Sequence, residues 1–188
     1  MLERLLHVDA TILLWIQTHM RNEICTQIFT KLTHLGDAGW FWLVCAALLL
    51  WKPKTREIGK MAIIAMGFNL IVNNLLLKNI VARTRPYEAI IGLKCLIPAQ
   101  VDFSFPSGHT GASFAAAVVF FRKLPKRYGI PALVLAVLIS FSRLYVGVHY
   151  PSDVLAGALI GIMGALLSEK FCGKEAGTKD RERVVGRS

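Results

Sequence analysis

The apolar residues of this chain fall in blocks divided by short charged loops, and that arrangement narrows the fold before any motif is read. A water-soluble core interleaves apolar and polar residues at helical or strand period, whereas unbroken apolar runs bounded by charge are what a bilayer selects. Composition agrees, with 54% hydrophobic residues and a mean hydropathy of +0.50. The expected fold class is all-α, a polytopic membrane bundle. One membrane-embedded domain is expected over residues 1–171, followed by a charged, disordered cytoplasmic tail over 172–188.

A net charge of +10 raises nucleic acid as a partner, so the position of the cations has to decide. They gather in three clusters: Lys52, Lys54, Arg56 and Lys60; Arg122, Lys123, Lys126 and Arg127; and Lys170, Lys174, Lys179, Arg181, Arg183 and Arg187. Each cluster lies between or after apolar runs, as cytoplasmic loops do. None forms an aromatic-interleaved basic face, so the implied partner is a membrane and not nucleic acid. Cys25, Cys45, Cys95 and Cys172 lack the paired spacing of a disulfide framework or zinc site. The first apolar run is short, carries Asp9 and leads to no small-residue cleavage site, which argues against a signal peptide.

Residues 8–31 mix apolar and polar side chains, and read either as a poor first span or as an interfacial helix followed by a second short one. Residues 32–39 read as a turn, with Asp37 placed to cap the next helix. The run 40–51 is short for a span of about 20 residues, so its helix is expected to begin near Thr33. Trp40, Trp42 and Trp51 are expected to anchor its ends at the interfaces. Residues 58–77 are long enough to cross, and the Asn69, Asn73 and Asn74 they carry are expected to bond neighbouring helices. A polar loop over 78–107 leads to helices over 109–121, 128–145 and 151–167, the last with Gly157 and Gly161 spaced for close packing.

Placing the basic clusters in the cytoplasm puts the 78–107 loop and the 143–153 segment on the same outer face. Three groups then meet: Lys78 with Arg85-Pro86; Pro106-Ser107-Gly108-His109; and Arg143, His149 and Asp153. Lys78, Arg85 and Arg143 repel one another unless an anion sits between them. Guanidinium groups suit a tetrahedral oxyanion because each donates two parallel hydrogen bonds. Ser107-Gly108 precedes a helix, whose free N–H groups and positive dipole end favour phosphate. His149 lies four residues before Asp153, which can orient one ring nitrogen by a hydrogen bond and leave the other to attack phosphorus. His109 can protonate the departing oxygen and then activate water. Each group alone has a bland reading, as snorkelling cations, a loop-to-helix turn or a capped interfacial histidine. Their joint occurrence on one face does not. No His/Cys ligand spacing or acidic cluster indicates a metal.

These three groups resemble the signature of the type 2 phosphatidic acid phosphatase superfamily. The resemblance covers residues 78–153 in its motifs. It implies about six transmembrane helices and cofactor-free, metal-independent hydrolysis of a phosphate through a phosphohistidine. In that reading His149 is the nucleophile, Asp153 its orienting partner and His109 the general acid and then base. Lys78, Arg85, Ser107, Gly108 and Arg143 hold the phosphoryl oxygens. The small size resembles bacterial members acting on lipid phosphates at the outer face of the cytoplasmic (inner) membrane. Undecaprenyl diphosphate, phosphatidylglycerol phosphate and phosphatidic acid all present a suitable terminal phosphate. Glu88, Lys94 and Asp102 in the outer loop are placed to tune that choice. Phosphotransfer to another hydroxyl needs the same pocket, and a non-catalytic lipid-phosphate transporter needs only its cations.

Overall fold

The computed structural model describes the backbone of residues 2–185 and side chains over residues 3–172, and every described element is helical. In order these are α1 (Leu2–His19), α2 (Glu23–His34), α3 (Trp40–Trp51), α4 (Arg56–Asn69), α5 (Lys78–Val81), α6 (Pro86–Ala89), α7 (Gly108–Lys123), α8 (Lys126–Tyr145) and α9 (Pro151–Val185). A 3-10 turn, Asp37–Gly39, precedes α3, and a stretch of wider π winding, Leu70–Leu77, joins α4 to α5. Of the tail expected over 172–188, Cys172 is a buried residue of α9, while the side chains from residue 173 and the backbone from residue 186 lie outside the described residues.

Three segments, Arg56–Ala89, Lys126–Tyr145 and Pro151–Cys172, are long and apolar enough to cross a membrane. Glu23–His34 with Asp37–Trp51, bent by 48°, makes a fourth if the pair is one span. Length and composition therefore support three or four crossings among the described residues, not the six expected. The shortfall has physical causes. α7 has only 16 residues, and α1 carries Glu3, Arg4 and Asp9.

The helix expected to begin near Thr33 is broken instead. Gly39 takes a left-handed conformation (φ 68°) between the 3-10 turn and α3, so α2 and α3 are separate rods. Trp40 and Trp51 are exposed as interfacial anchors should be, but Trp42 is buried and donates Nε1–H to Ser113 Oγ at 2.9 Å. The core around Trp42 is made largely of alanines: Ala62 and Ala65 of α4, Ala115, Ala116 and Ala117 of α7, Ala136 of α8 and Ala165 of α9. Small side chains let helices approach closely where lipid supplies no hydrophobic drive between them. Gly157 and Gly161 carry this furthest, since a methyl group at either meets the backbone oxygen of Ser107 or Gly111 on α7. Large apolar side chains such as Leu48, Val137 and Leu159 face outward.

α1 lies across one end of this bundle. Asp9 bonds the start of α9 through Ser152, Leu13 shares a cluster with Leu93 and Tyr150, and Ile16 shares one with Tyr145, Val146 and Val148. Its other face leaves Leu5, Val8, Ile12 and Trp15 exposed at helical spacing. Of the two readings of this region, the contacts of α1 fit the interfacial helix.

Candidate active site

Short sequence features deliver the polar residues to that end. Lys78 opens α5, and Ala82, in left-handed backbone (φ 47°), turns the chain out of the rod. Pro86 at the first turn of α6 leaves Arg85 extended just before it. Ser107 caps α7, its Oγ accepting Thr110 N–H at 3.4 Å and Thr110 Oγ1–H at 3.0 Å. Arg143 sits in the last turn of α8 and Asp153 in the first turn of α9, with His149 in the tight connection between them.

Arg85 Nη1 donates to the Val148 carbonyl at 2.8 Å and to His149 Nε2 at 3.2 Å. A guanidinium can only donate, so Nε2 is the accepting nitrogen and Nδ1 carries the proton. Nδ1 lies 3.5 Å from Asp153 Oδ2. That is an ion-pair distance, and the expected hydrogen bond is not formed. Asp153 is occupied elsewhere: Oδ2 accepts Ser104 Oγ–H at 2.5 Å and Tyr150 N–H at 2.9 Å, and Oδ1 accepts Arg83 Nη1–H at 2.6 Å.

Lys78 and Arg85 close together on the carboxylate of Asp102, and Arg85 Nε also donates to the Asp102 backbone oxygen at 3.0 Å. Partial burial pushes the Asp102 carboxyl up, but the hydrogen bonds and charges of Lys78 and Arg85 outweigh it and hold the group below its ordinary value. Arg143 is buried, donates Nη1–H to Thr33 Oγ1 at 2.6 Å and leaves Nε without a partner among the described residues. It lies within electrostatic reach of Lys78, Arg85, His109 and His149. A buried donor left without a partner beside two more cations is a place where an anion can be accepted.

His109 Nε2 meets Asp37 Oδ1 at 2.9 Å, and the other oxygen of Asp37 meets His34 Nδ1 at 2.8 Å. Asp37 is therefore a bridge between two histidines, not the expected helix cap. Gly108 presents bare backbone, with the Asn74 amide packed where its side chain would be. Asn73 behaves as expected of an amide within a span: its Nδ2–H groups reach Asn69 Oδ1 at 3.1 Å and the Ser107 carbonyl at 3.0 Å. A cavity of about 430 Å³ opens on Lys78, Asp102, Gly108 and His109 and continues along Leu43, Ile63, Met66, Leu70 and Ala112. Arg85, Ser107, Arg143, His149 and Asp153 are buried and are not among the residues that line it. A larger apolar groove of about 930 Å³, lined by Trp42, Leu49, Phe120 and Tyr128 among others, contains none of these polar groups.

Sequence reasoning passed over Arg83 and Asp9. Arg83 Nη2 donates to Asp9 Oδ2 at 2.8 Å and its guanidinium lies 3.7 Å over the Tyr150 ring, while Nη1 holds Asp153. Asp9 also accepts Ser152 N–H at 3.0 Å and Ser152 Oγ–H at 2.5 Å. The available signal was Asp9 itself, because a carboxylate in an apolar run needs a cation to be tolerated.

Residues 59–175 match the family model described as the PAP2 superfamily. The chain belongs to that superfamily. Among its relatives, undecaprenyl-diphosphatase of Sulfolobus acidocaldarius is 37% identical over 127 residues, 68% of this chain and 61% of that protein. The match thus spans about three-fifths of that relative's length. The crystal structure of Aquifex aeolicus LpxE superposes with a TM-score of 0.76 at 29% identity, covering 85% of this chain and 93% of that one. The transmembrane PAP2-type phosphatidylglycerolphosphate phosphatase from Bacillus subtilis gives 0.73 at 28% identity, covering 89% and 86%. As a PAP2 member with apolar helices of this length, the protein is a multi-pass membrane protein.

Proposed function

We propose that the protein is a membrane lipid phosphatase that removes the terminal phosphate of a lipid phosphate or diphosphate through a phosphohistidine intermediate. The observation that carries the reading is the cavity of about 430 Å³, which joins a polar end opening on Lys78, Asp102, Gly108 and His109 to an apolar wall. A phosphate fits the first and a prenyl or acyl chain the second. Relatives bearing undecaprenyl-diphosphatase and phosphatidylglycerophosphatase names support the same substrate class.

In this mechanism Lys78, Arg85 and Arg143, with the Ser107 hydroxyl and the Gly108 N–H, neutralise and orient the phosphoryl oxygens, the Ser107 N–H being taken by the Asp153 carbonyl at 3.0 Å. His149 Nε2, whose lone pair faces Arg85, attacks phosphorus. The P–N bond forms as the bond to the lipid oxygen breaks, and His109 donates its proton to that leaving oxygen. Water then attacks the phosphohistidine, His109 takes its proton, and inorganic phosphate leaves with His149 restored. Asp153 stabilises the charge that Nδ1 acquires, and closing the present 3.5 Å gap is part of that step. The basic clusters support an orientation with the site on the outer side of a bacterial inner membrane. With α1 lying across the outer end, counting α7 as a crossing alongside the bent α2–α3 pair and the three long helices gives five spans.

The test is phosphate release by purified protein in detergent with EDTA across undecaprenyl diphosphate, phosphatidylglycerol phosphate and phosphatidic acid. The wild type should release phosphate from at least one lipid, and His149→Ala should lose at least about 1,000-fold, as removing a nucleophile does. Wild-type turnover in that variant would sink the assignment of His149.

A further inference from the structure

The cation cradle already holds an anion, and it comes from the protein's own chain. Lys78 takes Oδ2 of Asp102 and Arg85 takes Oδ1. A carboxylate gripped at both oxygens presents the two-point acceptor that two oxygens of a phosphate present. The Asp102 side chain is half exposed whereas those of Lys78 and Arg85 are buried, so the carboxylate enters the cradle from its open side. It also lines the same cavity as Gly108 and His109.

We propose that Asp102 is an internal competitor for the phosphate subsite, filling the cradle at rest and being expelled by the incoming phosphoryl group. The assignment rests on the lipid-phosphate reading above. The chain around Asp102 permits the exchange. Gln100 N–H is tied to Tyr87 Oη at 3.1 Å and Ser104 N–H to the Arg83 carbonyl at 2.8 Å, leaving residues 101–103 as a short strap between two pins, its backbone held at the middle by the 3.0 Å bond from Arg85 Nε to the Asp102 oxygen that must break with the ion pair. Val101 and Phe103 on either side of Asp102 are exposed, so moving the strap uncovers no core.

The competitor also gives the site a charge threshold. A terminal phosphate carries about 1.5–2 negative charges at neutral pH, whereas the phosphodiester of an ordinary phospholipid carries one, no more than the carboxylate it must displace. Asp102 weakens both by the same factor, which leaves the weaker-binding diester unable to hold the cradle while a terminal phosphate still can.

The experiment titrates inorganic phosphate, and separately dimethyl phosphate as a soluble diester, into the full chain in detergent by calorimetry. Wild type, Asp102→Asn and Asp102→Ala are compared, each checked for folding by circular dichroism. If the cradle is open only about one-tenth of the time in wild type, phosphate should bind about tenfold tighter in both variants. Dimethyl phosphate should tighten as well. A role for Asp102 in merely pre-positioning Lys78 and Arg85 gives the opposite sign, with weaker phosphate binding. Unchanged or weaker binding in both variants, with lipid-phosphate hydrolysis intact in wild type, overturns the assignment alone. Wild type that releases phosphate from no lipid overturns the functional reading and this assignment with it.

Discussion

Arg83 holds two buried carboxylates that the chain places far apart, Asp9 near its start and Asp153 near its end. The Asp153 side chain is 0% exposed and that of Asp9 2%. Neither can be left charged without a cation, because removing one partner of a buried pair strands the other. Arg83→Met should therefore destabilise the protein by about 3–5 kcal/mol, read as a lower melting temperature in detergent. Arg83→Lys keeps one charge but loses the fork that reaches both acids, so it should recover stability only in part. A melting temperature unchanged in Arg83→Met would show that the pairs contribute nothing net. The contrast between Arg83 and Arg85 explains what the sequence reveals. Lys78, Arg85, Ser107, Gly108, His109, Arg143, His149 and Asp153 are legible because each sits in a short pattern whose spacing has a chemical reason. Arg83, Asp9 and the Asp37 bridge are joined across 74, 70 and 72 positions, and no local spacing announces such partners.

At the scale of elements, the helical class and the long runs are legible because apolar length alone sets them. The ends and breaks are not. Gly39 interrupts what composition presents as one helix, and the π winding over Leu70–Leu77 leaves no mark in the apolar pattern. Its consequence is chemical, since that stretch carries Asn73 to the Ser107 carbonyl and Asn74 behind Gly108. π segments recur at functional sites for this reason. The seam between α7 and α9 leaves no room for a side chain at Gly157 or Gly161. A Cβ at Gly161 would sit against the Gly111 oxygen, the Ala115 nitrogen and the Phe114 side chain, two of the three being backbone that cannot swing aside. Gly161→Leu should cost about 1–3 kcal/mol or more through overpacking, and should shift Ser107 and His109 with α7. Loss of both melting temperature and phosphate release is expected. A variant as stable as wild type would mean that the helices are not held this close.

Across the whole molecule, the polar end and the apolar wall of one cavity are supplied by segments that are distant in sequence, and only the packed bundle makes them continuous. Gly67 of α4 lines that cavity and has nothing within 4 Å of where its Cβ would stand. It is a place to add volume without disturbing the core. Gly67→Ala should stabilise α4 by about 0.5–1 kcal/mol, because glycine inside a helix costs backbone entropy. Gly67→Leu fills part of the space between Leu43, Ile63 and Met66 while leaving Lys78, Arg85 and His149 untouched. If a lipid chain lies along that wall, the larger substitution should raise KM for long-chain lipid phosphates at least about tenfold, the cost of roughly 1.4 kcal/mol of lost binding. Hydrolysis of a short-chain, water-soluble phosphate should change little, since its phosphate enters the same cradle without needing the wall. The comparison separates the two halves of the site. A loss for both substrates would indicate damage to the cradle, and no loss for either would mean that the chain of the lipid lies elsewhere.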